Sequence, residues 1–247
     1  MKRLYEKSEW GFALLWIGAY LVLGSGAELA GALIGAGAEA RTVLYGFIAA
    51  AILCFVHRNG LAGYYGLAGL AVPARRFLWF IPLIVISTGN FWLGVALPGP
   101  AGLTILLAIR MLLVGVIEEL LFRGLLYRAL ERKSETAAIV ISSVIFGLIH
   151  LINLSSGMLL PLALAQVALT TALGFLFALI LARGKSLVPC IAAHCFIDVT
   201  SVFSDQAALT VNSVLLIDGA ATVIALVYFW ILLRTLPKPE KATEDSV

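Results

Sequence analysis

Apolar residues in this chain run in long stretches that are separated by short polar, glycine-rich or proline-rich connections. Stretches of this kind are typical of helices that cross a membrane, which need about 20 residues each. The pattern predicts an all-α polytopic membrane protein with about eight transmembrane helices, of which the second, fifth and seventh are near the lower length limit. The predicted helices cover residues 10–31, 42–56, 77–97, 103–127, 137–153, 159–182, 187–203 and 215–236.

Composition supports this prediction for nearly the whole chain. Of the 247 residues, 62% are hydrophobic and 13% are charged, and the mean hydropathy is +1.03. Soluble domains are about one quarter charged, so these values exclude a water-soluble protein, a disordered chain and a disulfide scaffold. We expect one membrane-embedded domain over residues 1–236 and a short disordered cytoplasmic tail over residues 237–247.

Basic residues are distributed unevenly between the two sides of the predicted membrane domain. If the N-terminus is cytoplasmic, 14 of the 17 basic residues fall in cytoplasmic segments, as the positive-inside rule requires. The sequence therefore predicts that both termini are cytoplasmic. The net charge of +3 then reflects topology, and the expected surroundings are the lipid bilayer, with no nucleic-acid partner. These 14 residues are Lys2, Arg3, Lys7, Arg58, Arg75, Arg76, Arg128, Arg132, Lys133, Arg183, Lys185, Arg234, Lys238 and Lys241.

Seven ionisable residues lie at membrane depth within the predicted helices. Each Asp, Lys or Arg at mid-span costs about 2.5–3.5 kcal/mol on insertion scales. Structural ion pairing explains a single pair, but a cluster of this size indicates a functional site. The fourth helix contains Arg110, Glu118, Glu119 and Arg123, the fifth contains His150, and the seventh contains His194 and Asp198.

Helical spacing predicts how these residues are arranged. Glu119 and Arg123 are four residues apart and share a face, whereas Glu118 points about 100° away. At about 1.5 Å of rise per residue, Glu118, His150 and His194 lie at similar depths. We therefore expect an intramembrane active site where helices four, five and seven converge.

The chemistry of these side chains favours hydrolysis. A buried carboxylate beside imidazoles can take a proton from water and deliver it to a leaving group, and a His–Asp pair can stabilise an oxyanion or orient the water. We expect the bond that is hydrolysed to be a peptide bond. The sequence has no Gly-x-Ser-x-Gly or His-Glu-x-x-His motif, and Cys190, one turn before His194, leaves a thiol nucleophile as a minor alternative.

Three motifs on three predicted helices resemble those of a known family. Together they are similar to the motifs of the CAAX-prenyl-protease and bacteriocin-processing (CPBP, or Abi) family of intramembrane glutamic-type endopeptidases. The resemblance covers about residues 105–205 in detail and implies that the chain is an intramembrane protease. The motifs are Glu118-Glu119-x-x-x-Arg123, Phe146-x-x-x-His150 and His194-x-x-x-Asp198.

The resemblance implies a catalytic role for four residues. Glu118 resembles the catalytic glutamate, which activates a water together with His150. His194 and Asp198 resemble the pair that stabilises the oxyanion. Since an ionised Asp cannot donate a hydrogen bond, we expect Asp198 to orient His194 instead.

The other motif residues are expected to support the site. Glu119 and Arg123 resemble residues that brace the fourth helix, and Phe146 is expected to pack beside the site. The Asp at position 198 resembles the residue that prokaryotic members of the family have at the matching motif position. This resemblance implies that the protein is located in a bacterial inner (cytoplasmic) membrane.

The residues leave several alternatives open. The metal-free peptidase needs no cofactor, but Glu118, His150 and His194 also form the ligand set of a zinc enzyme with an open fourth position. A non-catalytic protein that confers bacteriocin immunity or scaffolds a membrane complex is a second alternative, and a proton-coupled transporter is a third. The membrane-associated protein substrate is a prenylated tail, a bacteriocin leader or a C-terminal sorting anchor.

Two further expectations concern helix packing within the membrane. Three roles are open to Arg110, namely snorkelling outward, pairing with Glu28 or Asp218, and contact with substrate, and we expect snorkelling or pairing. A set of small residues is expected to allow close approach between helices, namely Gly115, Gly124 and Gly174.

Overall fold

The computed structural model describes residues 1–68 and 81–236, and most of these residues are helical, with no strand among them. One isolated antiparallel β-bridge joins Val95 to Ser204. The helices are α1 (Lys2–Lys7), α2 (Glu9–Ala32), α3 (Gly37–Arg58), α4 (Ile81–Ser87), α5 (Ala101–Glu119), α6 (Arg128–Glu131), α7 (Glu135–Leu148), α8 (Leu160–Gly184), α9 (Val188–Ser201) and α10 (Val211–Thr235). Within the described residues, two 3-10 segments, Gly89–Phe91 and Ile149–Ser156, and one π-helical segment, Leu120–Tyr127, complete the helical structure.

Five of the described helical segments are long and apolar enough to cross a membrane, which confirms the prediction of an all-α membrane protein. They are Glu9–Ala32, Gly37–Arg58, Glu135–Ser156, Leu160–Gly184 and Val211–Thr235. The exact count of eight crossings stays a prediction. Pro82–Phe91 and Val188–Ser201 are shorter apolar helices.

The third predicted helix, residues 77–97, is described only from residue 81. Its helical part ends at Ser87, the 3-10 segment ends at Phe91, and the chain continues without helix to residue 100. Gly94 has a φ of +124°, a conformation that favours glycine, so an uninterrupted helix to residue 97 was wrong. The predicted tail, residues 237–247, lies outside the described residues.

The fourth predicted helix is continuous from Ala101 to Glu131 but changes its winding. α5 ends at Glu119, and the π-helical segment Leu120–Tyr127 leads directly into α6. All eight residues of the π-helical segment are buried. π-Helical turns inside α-helices occur frequently at functional sites, and this one begins directly after the two adjacent glutamates.

Helix starts follow from capping side chains. The hydroxyl groups of Ser8 and Ser134 accept hydrogen bonds from backbone amides at the starts of α2 and α7. Thr210 and Ser213 form a reciprocal capping box at the start of α10. Such caps satisfy amides that have no partner within the helix, so these boundaries are set by local sequence.

Close packing of α5 on α9 and of α7 on α8 brings the motif residues together. A Cβ added at Gly115 would lie 2.9 Å from the backbone nitrogen of Cys195, and one at Gly174 would lie 2.9 Å from the Cα of Ser143. Both glycines therefore permit close helix contact, as predicted. Gly124 does not, because the nearest atom to an added Cβ is 3.8 Å away.

The connections between helices gather at two ends of the bundle. At one end, the Leu187 amide donates to the carbonyl oxygen of Gly66 at 3.0 Å, and Lys185 forms an ion pair with Glu131. We call this the basic end, which contains the connections 59–68, 132–134 and 185–187. At the other end, the Ala96 amide donates to the carbonyl of Phe203 at 2.9 Å.

Candidate active site

Glu118 and Glu119 occupy the last turn of α5, directly before the π-helical segment, and both are buried. Glu118 has two polar contacts. The Tyr20 hydroxyl of α2 donates to its Oε1 at 2.8 Å, and the Nε2 of His194 on α9 lies 3.7 Å from its Oε2. Three helices therefore meet at this one carboxylate.

His194 is held between carboxylates on both of its ring nitrogens. Its Nδ1 is hydrogen-bonded to the Oε1 of Glu119 at 2.9 Å, and its Nε2 lies 3.5 Å from the Oδ2 of Asp198. The carboxylate that orients His194 by a hydrogen bond is thus that of Glu119, whereas we expected Asp198. An ionised carboxylate only accepts hydrogen bonds, so Nδ1 carries the proton that is shared with Glu119.

Glu119 also compensates the charge of Arg123. The Arg123 Nη1 lies 3.1 Å from the Oε1 of Glu119, and both side chains are completely buried. This is the pairing between residues four apart that the sequence predicts. None of the three guanidinium nitrogens of Arg123 makes a hydrogen bond with the described residues, so the contact with Glu119 is an ion pair only. The Arg123 Cζ lies 4.0 Å from the centroid of the Phe146 ring, a favourable cation–π arrangement.

Phe146 connects the two histidines of the site. The centroid of its ring lies 5.1 Å from that of His150 and 5.7 Å from that of His194, with both pairs edge to face. The Nδ1 of His150 is 2.8 Å from the Phe146 carbonyl oxygen. Because a carbonyl oxygen only accepts, Nδ1 carries the hydrogen, and in the neutral ring Nε2 retains a lone pair.

A cavity of about 460 Å³ joins these residues, a size typical of ligand sites. Glu118, His150, His194, Asp198 and Phe146 all line it. The structure therefore brings the four predicted catalytic residues to one cavity, while Glu119 and Arg123 lie behind its wall.

The cavity runs from a buried floor to an exposed mouth. Glu118 and His194 are buried, whereas Ser25, Glu28 and Ser155, which also line the cavity, are exposed. These exposed residues lie near the end of α2 and in the 3-10 segment after α7, at the end of the bundle opposite the basic end. The cavity therefore opens away from the basic end.

The predicted zinc ligands are not arranged as a metal site. Within residues 1–68 and 81–236, no group of three or more His, Cys, Asp or Glu side chains is placed to hold a metal ion. Glu118, His150 and His194 share the cavity, but they do not form such a group.

Two features of the site were missed or misjudged from the sequence. The Tyr20 hydroxyl was not predicted to contact Glu118, because a single tyrosine in an apolar helix gives no signal of its partner. Pairing of Arg110 with Glu28 was wrong, since Glu28 forms its ion pair with Arg41. An ion pair between Arg110 and Asp218 is also absent from the described part of the chain.

One family model matches the part of the chain that contains the three motifs. Residues 100–200 match the Rce1-like family, described as type II CAAX prenyl endopeptidase Rce1-like. This match confirms the family resemblance inferred from the three motifs, all of which lie within these residues. No curated protein and no solved structure matches the chain.

Proposed function

Since residues 100–200 match the Rce1-like type II CAAX prenyl endopeptidases, a family of proteases, we propose that this membrane protein is an intramembrane endopeptidase. It hydrolyses a peptide bond of a membrane-associated or lipidated protein. The observation that carries the proposal is the buried Glu118 carboxylate, which faces the same cavity as two histidines. A carboxylate in this position is able to activate a water molecule.

Glu118 acts as general base and then as general acid. Its carboxylate takes a proton from a water as the water oxygen attacks the carbonyl carbon of the scissile bond. The same proton then passes to the leaving amine when the C–N bond breaks. Tyr20 donates to one oxygen of Glu118 and leaves the other oxygen for the water.

His150 orients the water. The hydrogen bond between its Nδ1 and the Phe146 carbonyl fixes the ring and directs its Nε2 lone pair away from that carbonyl. Since a lone pair accepts a hydrogen bond, His150 can hold the second hydrogen of the water while Glu118 removes the first. The Phe146 ring supports this orientation by edge contact.

His194 stabilises the oxyanion. Glu119 fixes its Nδ1, and the carboxylates of Glu118 and Asp198 near its Nε2 favour the form protonated on both nitrogens. That form donates from Nε2 to a developing negative charge, as oxyanion donors do. Asp198 contributes through its charge, since an ionised Asp cannot donate a hydrogen bond.

The orientation in the membrane follows from the distribution of basic residues. The basic end is cytoplasmic under the positive-inside rule, and both termini then lie in the cytoplasm. The cavity mouth faces the opposite side of the membrane. A prenylated tail, a bacteriocin leader and a C-terminal sorting anchor are the substrate types to be compared.

The test uses purified protein in liposomes with pools of peptides that have either a prenylated cysteine or an apolar anchor. Glu118→Gln, His150→Ala and His194→Ala are each expected to reduce cleavage by about 10³-fold or more. Glu39→Gln and His57→Ala are matched controls, because both residues are exposed and do not line the cavity. Cleavage that persists in Glu118→Gln would refute the mechanism, and biological function retained by all three variants would favour a scaffold.

A chelation experiment separates the metal-free enzyme from the zinc enzyme. We expect cleavage by the wild-type protein to continue after incubation with a strong zinc chelator. Elemental analysis of the same sample gives the zinc content. Loss of cleavage on chelation, restored by added Zn²⁺, would instead establish the zinc enzyme.

A further inference from the structure

Arg110 is a cation in the wall of the active-site cavity that the proposed mechanism does not use. It lines the cavity together with the catalytic residues. Its Nε is enclosed and has no hydrogen-bond partner. The Arg110 guanidinium also forms no ion pair with any side chain in residues 1–68 or 81–236.

The other charged groups in the outer part of the cavity do not neutralise Arg110. Glu28 forms an ion pair with Arg41, and the Nε of Arg41 donates to the Tyr45 hydroxyl at 2.8 Å. Asp218 lines the cavity too, but it lies beyond ion-pair distance of Arg110. A guanidinium at membrane depth is costly without an anion, so Arg110 is placed to receive one from outside the chain.

The distance from Arg110 to the proposed general base matches a short peptide segment. Arg110 precedes Glu118 by two turns of α5, which corresponds to about 12 Å along the helix axis. An extended peptide spans about 3.3–3.6 Å per residue. The anion would therefore lie roughly three to four residues from the scissile bond.

We propose that Arg110 binds a carboxylate of the substrate, three to four residues from the bond that is cleaved. This inference rests on the proposed endopeptidase function. One uncompensated guanidinium matches the single charge of a carboxylate, whereas the acidic side chains of Glu28 and Asp218 in the same cavity disfavour a doubly charged phosphate. The carboxylate belongs either to the free C-terminus or to an Asp or Glu side chain, and both sources give the same contact.

The experiment uses wild-type protein in liposomes and anchored peptide pools with matched ends. One pool ends in a free carboxylate, a second in an amide, and a third in an amide with Asp at one of the last four positions. We expect kcat/KM to be about tenfold to a hundredfold higher for the pool or pools that supply the carboxylate. The first and third pools thus distinguish the two sources.

Substitution of Arg110 tests the contact directly. Arg110→Gln is expected to remove the preference for the carboxylate by raising KM for the pools that supply it, with little change in kcat. Arg110→Lys retains part of the preference because it keeps the charge. Arg234→Gln is the matched control, because Arg234 stacks on Trp230 near the end of α10 and does not line the cavity.

A binding measurement keeps the inference testable without cleavage. In a Glu118→Gln background, the carboxylate pool should raise the thermal midpoint more than the amide pool, and Arg110→Gln should abolish this difference. Equal binding and equal cleavage of the acid and amide pools would overturn the inference while leaving the endopeptidase intact. Cleavage that does not depend on Glu118 would overturn the proposed function instead.

Discussion

Charged side chains are arranged differently at the basic end of the bundle and in the candidate active-site cluster, which comprises Glu118, Glu119, Arg123, His194 and Asp198. At the basic end, Glu131 contacts Arg128 at 2.6 Å and Lys185 at 3.3 Å, and Arg183 contacts Glu135 at 2.8 Å. Each acidic group there faces at least one basic group, and water reaches most of them. The Lys185–Glu131 and Arg183–Glu135 pairs connect neighbouring helices, whereas the Arg128–Glu131 pair lies within α6.

The active-site cluster contains more acidic than basic groups. The carboxylates of Glu118, Glu119 and Asp198 surround the His194 ring, and the one guanidinium, Arg123, pairs with Glu119. Glu118 is therefore left with a tyrosine hydroxyl and the shared imidazole as its contacts. The comparison shows that every acidic group at the basic end has a basic partner, whereas Glu118 has no Lys or Arg partner. Incomplete pairing of this kind is what the proposed role of Glu118 as general base requires.

Substitution of Glu119 is expected to have the largest effect, because Glu119 is buried and forms the ion pair with Arg123. Glu119→Gln leaves the Arg123 guanidinium without a counter-ion, which costs about 3–5 kcal/mol for a buried pair. It also weakens the hydrogen bond that fixes His194, so cleavage should fall together with stability. Chemical unfolding in detergent and the peptide assay measure the two effects.

Glu9→Gln is the matched control for this substitution. Glu9 pairs with Arg132, whose side chain is 62% exposed, and an exposed pair contributes about 1 kcal/mol or less. We therefore expect little change in unfolding free energy and none in cleavage. Equal losses for the two variants would contradict the contrast between the two regions.

The sequence could predict contacts within one helix but not contacts between distant helices. The Glu119–Arg123 pair follows from a spacing of four residues, and its 3.1 Å ion pair agrees. The Tyr20–Glu118 and Glu119–His194 hydrogen bonds join residues 98 and 75 positions apart. Such contacts depend on how the helices pack.

The change from α-helical to π-helical winding at Leu120–Tyr127 could not be predicted from the sequence pattern either. Residues 120–127 read as an uninterrupted apolar helix, and hydrophobic spacing does not distinguish α-helical from π-helical turns over eight residues. The membrane character was predictable because it depends on composition alone. The sequence predicts that the motif residues lie at similar depths in the membrane. Their convergence on one cavity depends on the packing of α5, α7 and α9, which the spacing of residues does not specify.

A second prediction concerns the close contact between α5 and α9. Gly115→Ala places a Cβ 2.9 Å from the backbone nitrogen of Cys195, so the two helices must separate. Overpacking of this kind costs about 1–3 kcal/mol, and a shift between Glu118 and His194 should lower kcat. Thermal unfolding and the peptide assay measure these changes.

Gly102 provides the control in the same helix. A Cβ at this position meets nothing within 4 Å, so Gly102→Ala should be neutral or slightly stabilising. Full activity in Gly115→Ala would show that the separation of α5 and α9 is not critical for the site.

A third prediction concerns the hydroxyl that contacts the proposed general base. Tyr20→Phe removes the hydrogen bond to Glu118, which should cost about 1 kcal/mol in stability and about tenfold in kcat/KM. Tyr228→Phe is the matched control, because the Tyr228 hydroxyl is buried without a hydrogen-bond partner among the described residues. A loss of activity in Tyr228→Phe as large as that in Tyr20→Phe would argue against a specific role for the contact with Glu118.

The smallest expected effect lies at the basic end and depends on pH. Burial raises the pKa of Glu131, but Arg128 and Lys185 outweigh burial and hold the pKa below its ordinary value of 4.5. Because the pKa is lower in the folded state, the stabilisation is present above pH 4.5 and is lost as the pH falls through the folded value. Glu131→Gln should thus lower the unfolding free energy by about 1 kcal/mol or less at pH 7, and the difference from wild type should shrink toward zero at a pH below the folded-state pKa of Glu131. Thermal unfolding at both pH values measures this, and a difference that grows on acidification would contradict the assignment of Glu131 to a structural pair.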